Sequence, residues 1–391
     1  MFGLRLAQIL LTWRNHRWIG TVRTFPCNEL HVAFAVPGDL ATPTGGYRYD
    51  RRIIQELRRL GWHVDVANIG DSFPFPSIAQ RATALAILSA VPAGCPLVLD
   101  GLAFGALPEA GALRSRTPLI ALVHQPLALH SGLDRTQANV FRESERAALA
   151  AAAHVVVTSE ATARIVIADY DVPAQRVSVV RPGNDPVPSA PGSNDGVVRL
   201  LSIGSVVPGK GYDVLIAALV ALADLPWRLT IAGDRTRNPA AAAQLDADIQ
   251  AYGLGDRVAV LGAVPAERII ELYLASDIFV LASRFEGYGM ALAEAIGHGL
   301  PVVSTRAGAI PETVPAEAGL LVAPDDTIAL AQALRRLIGD PPERRRLATN
   351  ARAAAAQLPT WQDSAQLFAS AIETVMSGGY EGPAPRSASD H

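Results

Sequence analysis

The chain has 391 residues with 34 basic and 37 acidic side chains, a formal net charge of −3. Half of it is apolar and 18% is charged, which excludes a disordered or mainly solvated chain and fits roughly two or three domains with cores of their own. The slight negative charge argues against nucleic acid as a partner, because phosphate-backbone binding takes a cationic surplus. Two distant cysteines, Cys27 and Cys95, exclude a disulfide framework and a cysteine zinc site, and fit a reducing, cytoplasmic setting.

In chain order, residues 1–28 read as an N-terminal extension, whose charges follow its short apolar run and so do not suit a signal peptide. HVAFAV (31–36) reads as a strand, and TGGYRYDRRIIQELRRLGW (44–62) as a helix ending near Gly61. HVDVA (63–67), PLVLD (96–100), TPLIALVH (117–124), HVVVTS (154–159) and RVSVV (176–180) are further strands with helical segments between several of them. The apolar stretch from Ala82 to Leu107 is broken by Pro92, Pro96 and Asp100, so it cannot be an uninterrupted bilayer span of about 20 residues. RPGNDPVPSAPGSNDG (181–196), rich in proline and glycine, reads as a linker.

The alternation then restarts. VVRLLSIG (197–204), WRLTIAG (227–233), RVAVLG (257–262), DIFVLAS (277–283), LPVVS (300–304) and GLLVA (319–323) are strand candidates, with helices between them. Near-continuous apolar strands between helices imply parallel sheets covered on both faces. The expected architecture is therefore α/β: two doubly wound, Rossmann-like units, 29–190 and 191–358, facing a central cleft, with a frayed tail at 377–391. In such sheets ligands bind beyond the carboxyl ends of the strands.

The residues just after strands carry the chemistry. In SRFEGYGMALAEAIGHGLPVVS (283–304), Glu286 follows a strand, Gly287 and Gly289 flank Tyr288, and a helix bearing Glu294 begins about there. Free N–H groups at a helix start favour an anion, and glycines admit it closely. One carboxylate in the loop and another on the helix can grip hydroxyls at two ends of a ligand. A phosphate flanked by two hydroxyl-rich rings is a nucleotide-sugar. Among 34 basic residues Lys210 is the sole lysine, in a strand–loop–helix setting where it can neutralise that phosphate. Gly45 and Gly46 open a helix after the first strand, and His124 ends another strand. His298 reads as packed against the sheet. No His/Asp/Cys spacing indicates a metal site.

The 283–304 stretch resembles the E-x7-E region of the retaining GT-B glycosyltransferases of family 4, also called group 1. IGSVVPGKGYDVLIAAL (203–219) is similar to their glycine-rich loop with a phosphate-binding lysine, and AGAIPETV (307–314) to their G-G-x-P-E turn. VVVTSEATARIV (155–166) and VVRPGND (179–185) look like their inner-domain strand ends. The resemblance runs from His31 to about Val375. It implies a GT-B fold whose last helix, 359–376, crosses back to the first unit, and lobes that close about 181–196. It implies transfer of a hexose-type sugar, with retention of configuration, from a nucleotide-sugar (UDP- or GDP-linked above all) to a glycan, lipid or small-molecule acceptor. No cofactor or catalytic metal is implied.

Residue by residue, the resemblance puts Glu286 on the transferred sugar, Glu294 on the ribose and Lys210 on the leaving diphosphate. Gly287, Tyr288, Gly289 and Met290 offer backbone to the donor, and Gly46 and His124 face it from the first unit. The family usually has an arginine where this chain has Ser205, a donor-loop position, so Arg284, Arg235 or Arg306 is expected to compensate. Residues 1–60 hold nine arginines against four acids, which suits either a solvated helix face or a weak peripheral membrane contact at the inner face. Four other readings stay open, one of them a two-carboxylate hydrolase, which would leave the glycines and the lysine unexplained. GSVVPGKG (204–211) fits the start of a nucleotide-hydrolysing P-loop, but Gly211 stands where Ser or Thr should bind magnesium. The others are a nucleotide-sugar epimerase and a non-catalytic sugar-nucleotide binder. Oligomeric state is open.

Overall fold

Short apolar strands separated by helices cannot pair as hairpins, and a parallel sheet covered on both faces is the arrangement that buries them. The computed structural model describes residues 30–377 and contains two such sheets. The first holds β1 (His31–Val36), β2 (His63–Asn68), β3 (Leu97–Asp100), β4 (Leu119–Val123), β5 (His154–Val157) and β6 (Val177–Val179), in the order β2-β1-β3-β4-β5-β6. The second holds β7 (Val198–Ile203), β8 (Trp227–Ala232), β9 (Val258–Val260), β10 (Ile278–Leu281), β11 (Val302–Thr305) and β12 (Gly319–Val322), in the order β12-β11-β10-β7-β8-β9. Every pairing is parallel. This is the doubly wound α/β class expected from the apolar runs. The N-terminal extension and the tail beyond Ser377 lie outside the described residues.

Strand order reverses beside β1 in the first sheet, between its neighbours β2 and β3, and beside β7 in the second, between β8 and β10. Such reversals open a crevice at the carboxyl ends of the strands, because the flanking connections run to opposite faces. The loops after β1, β3 and β4, and those after β7 and β10, therefore sit where a ligand is accommodated.

The last helix, Trp361–Ser377, packs on the first sheet rather than on the second, which it follows in sequence. Phe368 stacks on Phe34 of β1 at 5.6 Å between ring centroids, and Trp361 lies edge-on to Tyr49 at 6.0 Å. The two chain crossings between the sheets are tied together, since Asn184 N–H donates to Pro359 O at 2.8 Å. The linker composition at 181–196 is thus used for an extended crossing segment, with a bridge from Asn184 to Thr360.

The arginines of helix Gly45–Arg59 are engaged within the protein. Arg52 forms a two-pronged pair with Asp185 at 2.7 Å and lies over the Trp361 ring, Arg58 reaches Val64 O at 2.7 Å, and Arg51 donates to Leu40 O. Tyr49, Ile53, Ile54 and Leu57 form the buried stripe of this helix. Among the described residues no helix is long and apolar enough to cross a membrane.

Candidate functional site

The loop after β10 is built around Glu286. Its carboxylate is nearly buried, and Oε1 accepts from Lys210 Nζ at 2.5 Å and from the fully buried Ser283 hydroxyl at 2.6 Å. Its backbone is pinned from the turn after β11, where Ala309 N–H donates to Glu286 O at 2.9 Å and Gly308, at φ +54°, lets the chains touch. Lys210 ends a short 3-10 turn, Pro208–Lys210. Arg284 holds that turn: its N–H donates to Gly209 O at 2.8 Å, its guanidinium to Pro208 O, and it also pairs with Asp213 and Asp325. So Arg284 is spent on positioning the lysine loop, and Arg235 is paired with Asp246.

Gly289 caps helix Met290–Gly297, on which Glu294 accepts from Tyr273 OH at 3.0 Å and from Arg48. Arg48 belongs to the first lobe, so this ion pair bridges the cleft. His298, at the end of the same helix, is buried, stacks on Tyr273 and meets Pro188 O at 2.8 Å, as its packed reading required. The Tyr288 side chain lines a different cavity, of about 480 Å³, shared with Arg181, Thr313, Asn350 and Gln357.

The first lobe meets this loop at His124. A Cβ on Gly287 would fall 1.9 Å from His124 O, so the two backbones touch and only glycine fits. Gly46 lies against the imidazole, where a Cβ would stand 3.3 Å from Cδ2, and Gly45 lies against Met290. Thus His124, Gly46, Gly287 and Met290 are brought together, as are Lys210 and Glu286. Ser205, after β7, has its N–H beside Gly233 and no charge to offer.

His124 sits between two acids that the sequence reading did not single out. Nε2 is 3.0 Å from Oδ1 of the fully buried Asp50 and 3.6 Å from Oδ2 of Asp100. Burial would lower the imidazole, but Asp50 and Asp100 more than reverse this and hold His124 up to about 10. Burial pushes Asp50 up to about 7, against the pull of His124. The imidazole is therefore a cation at neutral pH. Asp50 was legible as an acid three, four and seven positions before Ile53, Ile54 and Leu57, on the buried stripe of its helix. Arg237, in the loop after β8, also acts across the cleft, since its charge adds to burial in lowering His130.

Both pair members hold protons more tightly in the fold than in the unfolded chain. Their stabilisation is full below the unfolded values and is lost as pH rises, through about 7 for Asp50 and about 10 for His124. Asp50→Asn removes the principal charge that raises His124. The melting-temperature difference between the native chain and Asp50→Asn should therefore shift against the native chain as pH rises from about 5 to about 10. A difference independent of pH would refute the coupling.

Residues 186–354 match the family model described as glycosyl transferases group 1, and residues 96–187 match that of glycosyltransferase family 4. The second α/β unit of this chain thus belongs to the group 1 glycosyltransferases. A D-inositol 3-phosphate glycosyltransferase of Xylanimonas cellulosilytica is 32% identical over 238 residues, 56% of this chain and 57% of that protein. An MMP alpha-(1->4)-mannosyltransferase of Mycolicibacterium hassiacum is 28% identical over 265 residues, 63% of each. The chain thus spans less than two thirds of the length of these two relatives. Among solved structures, sucrose-phosphate synthase of Thermosynechococcus elongatus superposes with a TM-score of 0.77 at 21% identity, over 90% of this chain and 100% of that one. An Anabaena protein, HepE, in complex with UDP-glucose superposes with a TM-score of 0.73 at 21% identity, over 88% and 99%. The fold is accordingly GT-B.

Proposed function

We propose that this chain is a group 1 glycosyltransferase that moves a hexose-type sugar from a nucleoside diphosphate sugar to a hydroxyl of a glycan, lipid or small-molecule acceptor, with retention at the anomeric carbon. The observation that carries this reading is the meeting of Lys210, Glu286 and the Gly287–Gly289 loop with His124 across the cleft. The named relatives, which transfer to inositol phosphate or transfer mannose, and the neighbour holding UDP-glucose support a nucleotide-sugar donor.

In this reading Lys210 and the N–H groups around Gly287, Gly289 and Met290 stabilise the charge that builds on the diphosphate as its bond to the sugar breaks. Glu286 holds the sugar hydroxyls and Glu294 the ribose. The donor therefore exchanges its own hydroxyls for Arg48 at Glu294 and its phosphate for part of the Lys210–Glu286 pair. The acceptor oxygen attacks the anomeric carbon on the face the diphosphate leaves. The nearest base for its proton is then the departing phosphate oxygen, so no separate protein base is needed. The His124 cation and Gly46 face the reacting sugar from the first lobe, and closure of the lobes excludes water. Arg237 supplies cleft-side positive charge that Ser205 does not.

Thermal unfolding against UDP-, GDP- and ADP-sugars in chelator tests the reading. A donor at 100 times its Kd should stabilise the chain by about 2.7 kcal/mol. A shift with ATP and magnesium and none with any nucleotide-sugar would instead favour nucleotide hydrolysis.

A further inference from the structure

His31 and His63 are the first residues of β1 and β2 and are register partners in the parallel pair. Asp65 stands two residues beyond His63, so all three side chains leave the same face of the sheet, at the amino ends of its strands. The cleft lies at the carboxyl ends, so this cluster is separate from the site described above. His31 Nε2 is 2.8 Å from Asp65 Oδ2, and His63 Nε2 is 3.3 Å from Asp65 Oδ1. The two rings meet edge-on at 4.8 Å, and the three ligating atoms lie within 4.8 Å of one another. His31 is buried, which anchors the group, while His63 is exposed, which leaves a way in from solvent.

We propose that His31, His63 and Asp65 bind a late first-row divalent cation, zinc above all. Two imidazole nitrogens and one carboxylate are a donor set that suits zinc and its neighbours and is poor for magnesium or calcium, which prefer all-oxygen shells. A tetrahedral zinc centre with bonds of about 2.0–2.1 Å has ligand-to-ligand edges of about 3.3 Å. The nitrogen-to-oxygen separations here, 2.8 Å from His31 to Oδ2 and 3.3 Å from His63 to Oδ1, are near that edge, and a turn of the Asp65 carboxylate presents one oxygen to both. Binding exchanges the hydrogen bonds to Asp65 for metal bonds with little movement of the backbone. Cys95 is not a ligand: burial, with the charge of Asp65 added, pushes its thiol up to about 12, and the thiol faces Pro96 O. Three protein ligands leave the fourth position to water. Because β2 is the edge strand of its sheet, the cation clips that edge to β1.

The test uses the full chain without an affinity tag, titrated with cobalt(II) followed by its visible absorption, and with zinc followed by thermal unfolding. The expected result is one cobalt per chain with a tetrahedral spectrum, and a melting temperature raised by zinc but not by magnesium. His63→Ala, at an exposed position, should leave unfolding in chelator unchanged. It should weaken zinc binding by more than the roughly 10–100-fold that loss of an outer-shell partner costs. His124→Ala, which disrupts the other His/Asp cluster, should leave binding intact. Absence of the cobalt spectrum, or a signal that survives His63→Ala and vanishes in His124→Ala, would overturn the assignment. Neither outcome touches the donor reading, which is measured in chelator.

Discussion

Lys210→Ala should lower kcat by about 10²–10³-fold, the scale set by removing one preorganised group from a developing negative charge, or about 2.7–4 kcal/mol. Lys210 is the cation aimed at the leaving group: its ammonium sits 2.5 Å from Glu286, on a turn that Arg284 holds by its backbone and side chain. Arg284 and Arg235 cannot take over, being committed to Asp213, Asp325 and Asp246. KM for the donor should rise less than kcat falls, because the charge that Lys210 meets grows in the transition state. Lys210→Arg keeps a cation and should recover part of the rate. Single-turnover kinetics with the donor found by thermal screening checks this. Native turnover in Lys210→Ala, with the fold intact, would remove the lysine from the mechanism.

Gly287→Ala should have the second large effect, through geometry rather than charge. Its new Cβ would stand 1.9 Å from His124 O, a backbone atom that no rotamer change can move. The lobes must part or the donor loop must shift. Overpacking of this kind costs about 1–3 kcal/mol, and a misplacement of about 1 Å costs about 10²-fold in rate. The same change at Gly46 is a built-in comparison. There the Cβ would meet the imidazole of His124 at 3.3 Å, a contact that a slight shift of the ring relieves without moving the backbone, and the loss should be smaller. Rates and melting temperatures of the two variants, measured side by side, decide it. Equal effects would mean that the close approach of Gly287 to His124 does not govern the cleft.

Much of this molecule was legible before it was folded. HVAFAV, PLVLD and DIFVLAS announced buried parallel strands because both of their faces are apolar, and each became one. RVAVLG shortened to three residues, and the chain leaves the strand through Gly262 at φ +71°. The E-x7-E spacing announced a loop carboxylate and a helix carboxylate, and the glycine before Met290 starts that helix. What the spacing did not carry was the partner of each group. Arg48 is 246 positions from Glu294, and Asp50 is 74 from His124. Arg284, one of the arginines expected to compensate for Ser205, turned out to hold the lysine turn. Arg237 acts across the cleft although it lies in a surface-like stretch, GDRTRN, that no periodicity distinguishes.

The division follows from the range of the forces. Strand, helix and turn are decided by neighbours a few residues apart, through side-chain period and backbone freedom, so the order of residues alone determined the two α/β units, their strand ends and the residue types waiting there. Whether a carboxylate is a ligand, a latch or the counter-ion of a histidine depends on what stands within about 4 Å of it. That proximity arises only on packing: Asp50 meets His124 inside the first lobe, whereas Arg48 meets Glu294 only because the two sheets, joined at Asn184 and Pro359, bring their strand ends face to face. Tertiary packing therefore decided that Asp50 charges His124, that Arg48 spans the cleft, and that two histidines begin neighbouring strands beside one aspartate.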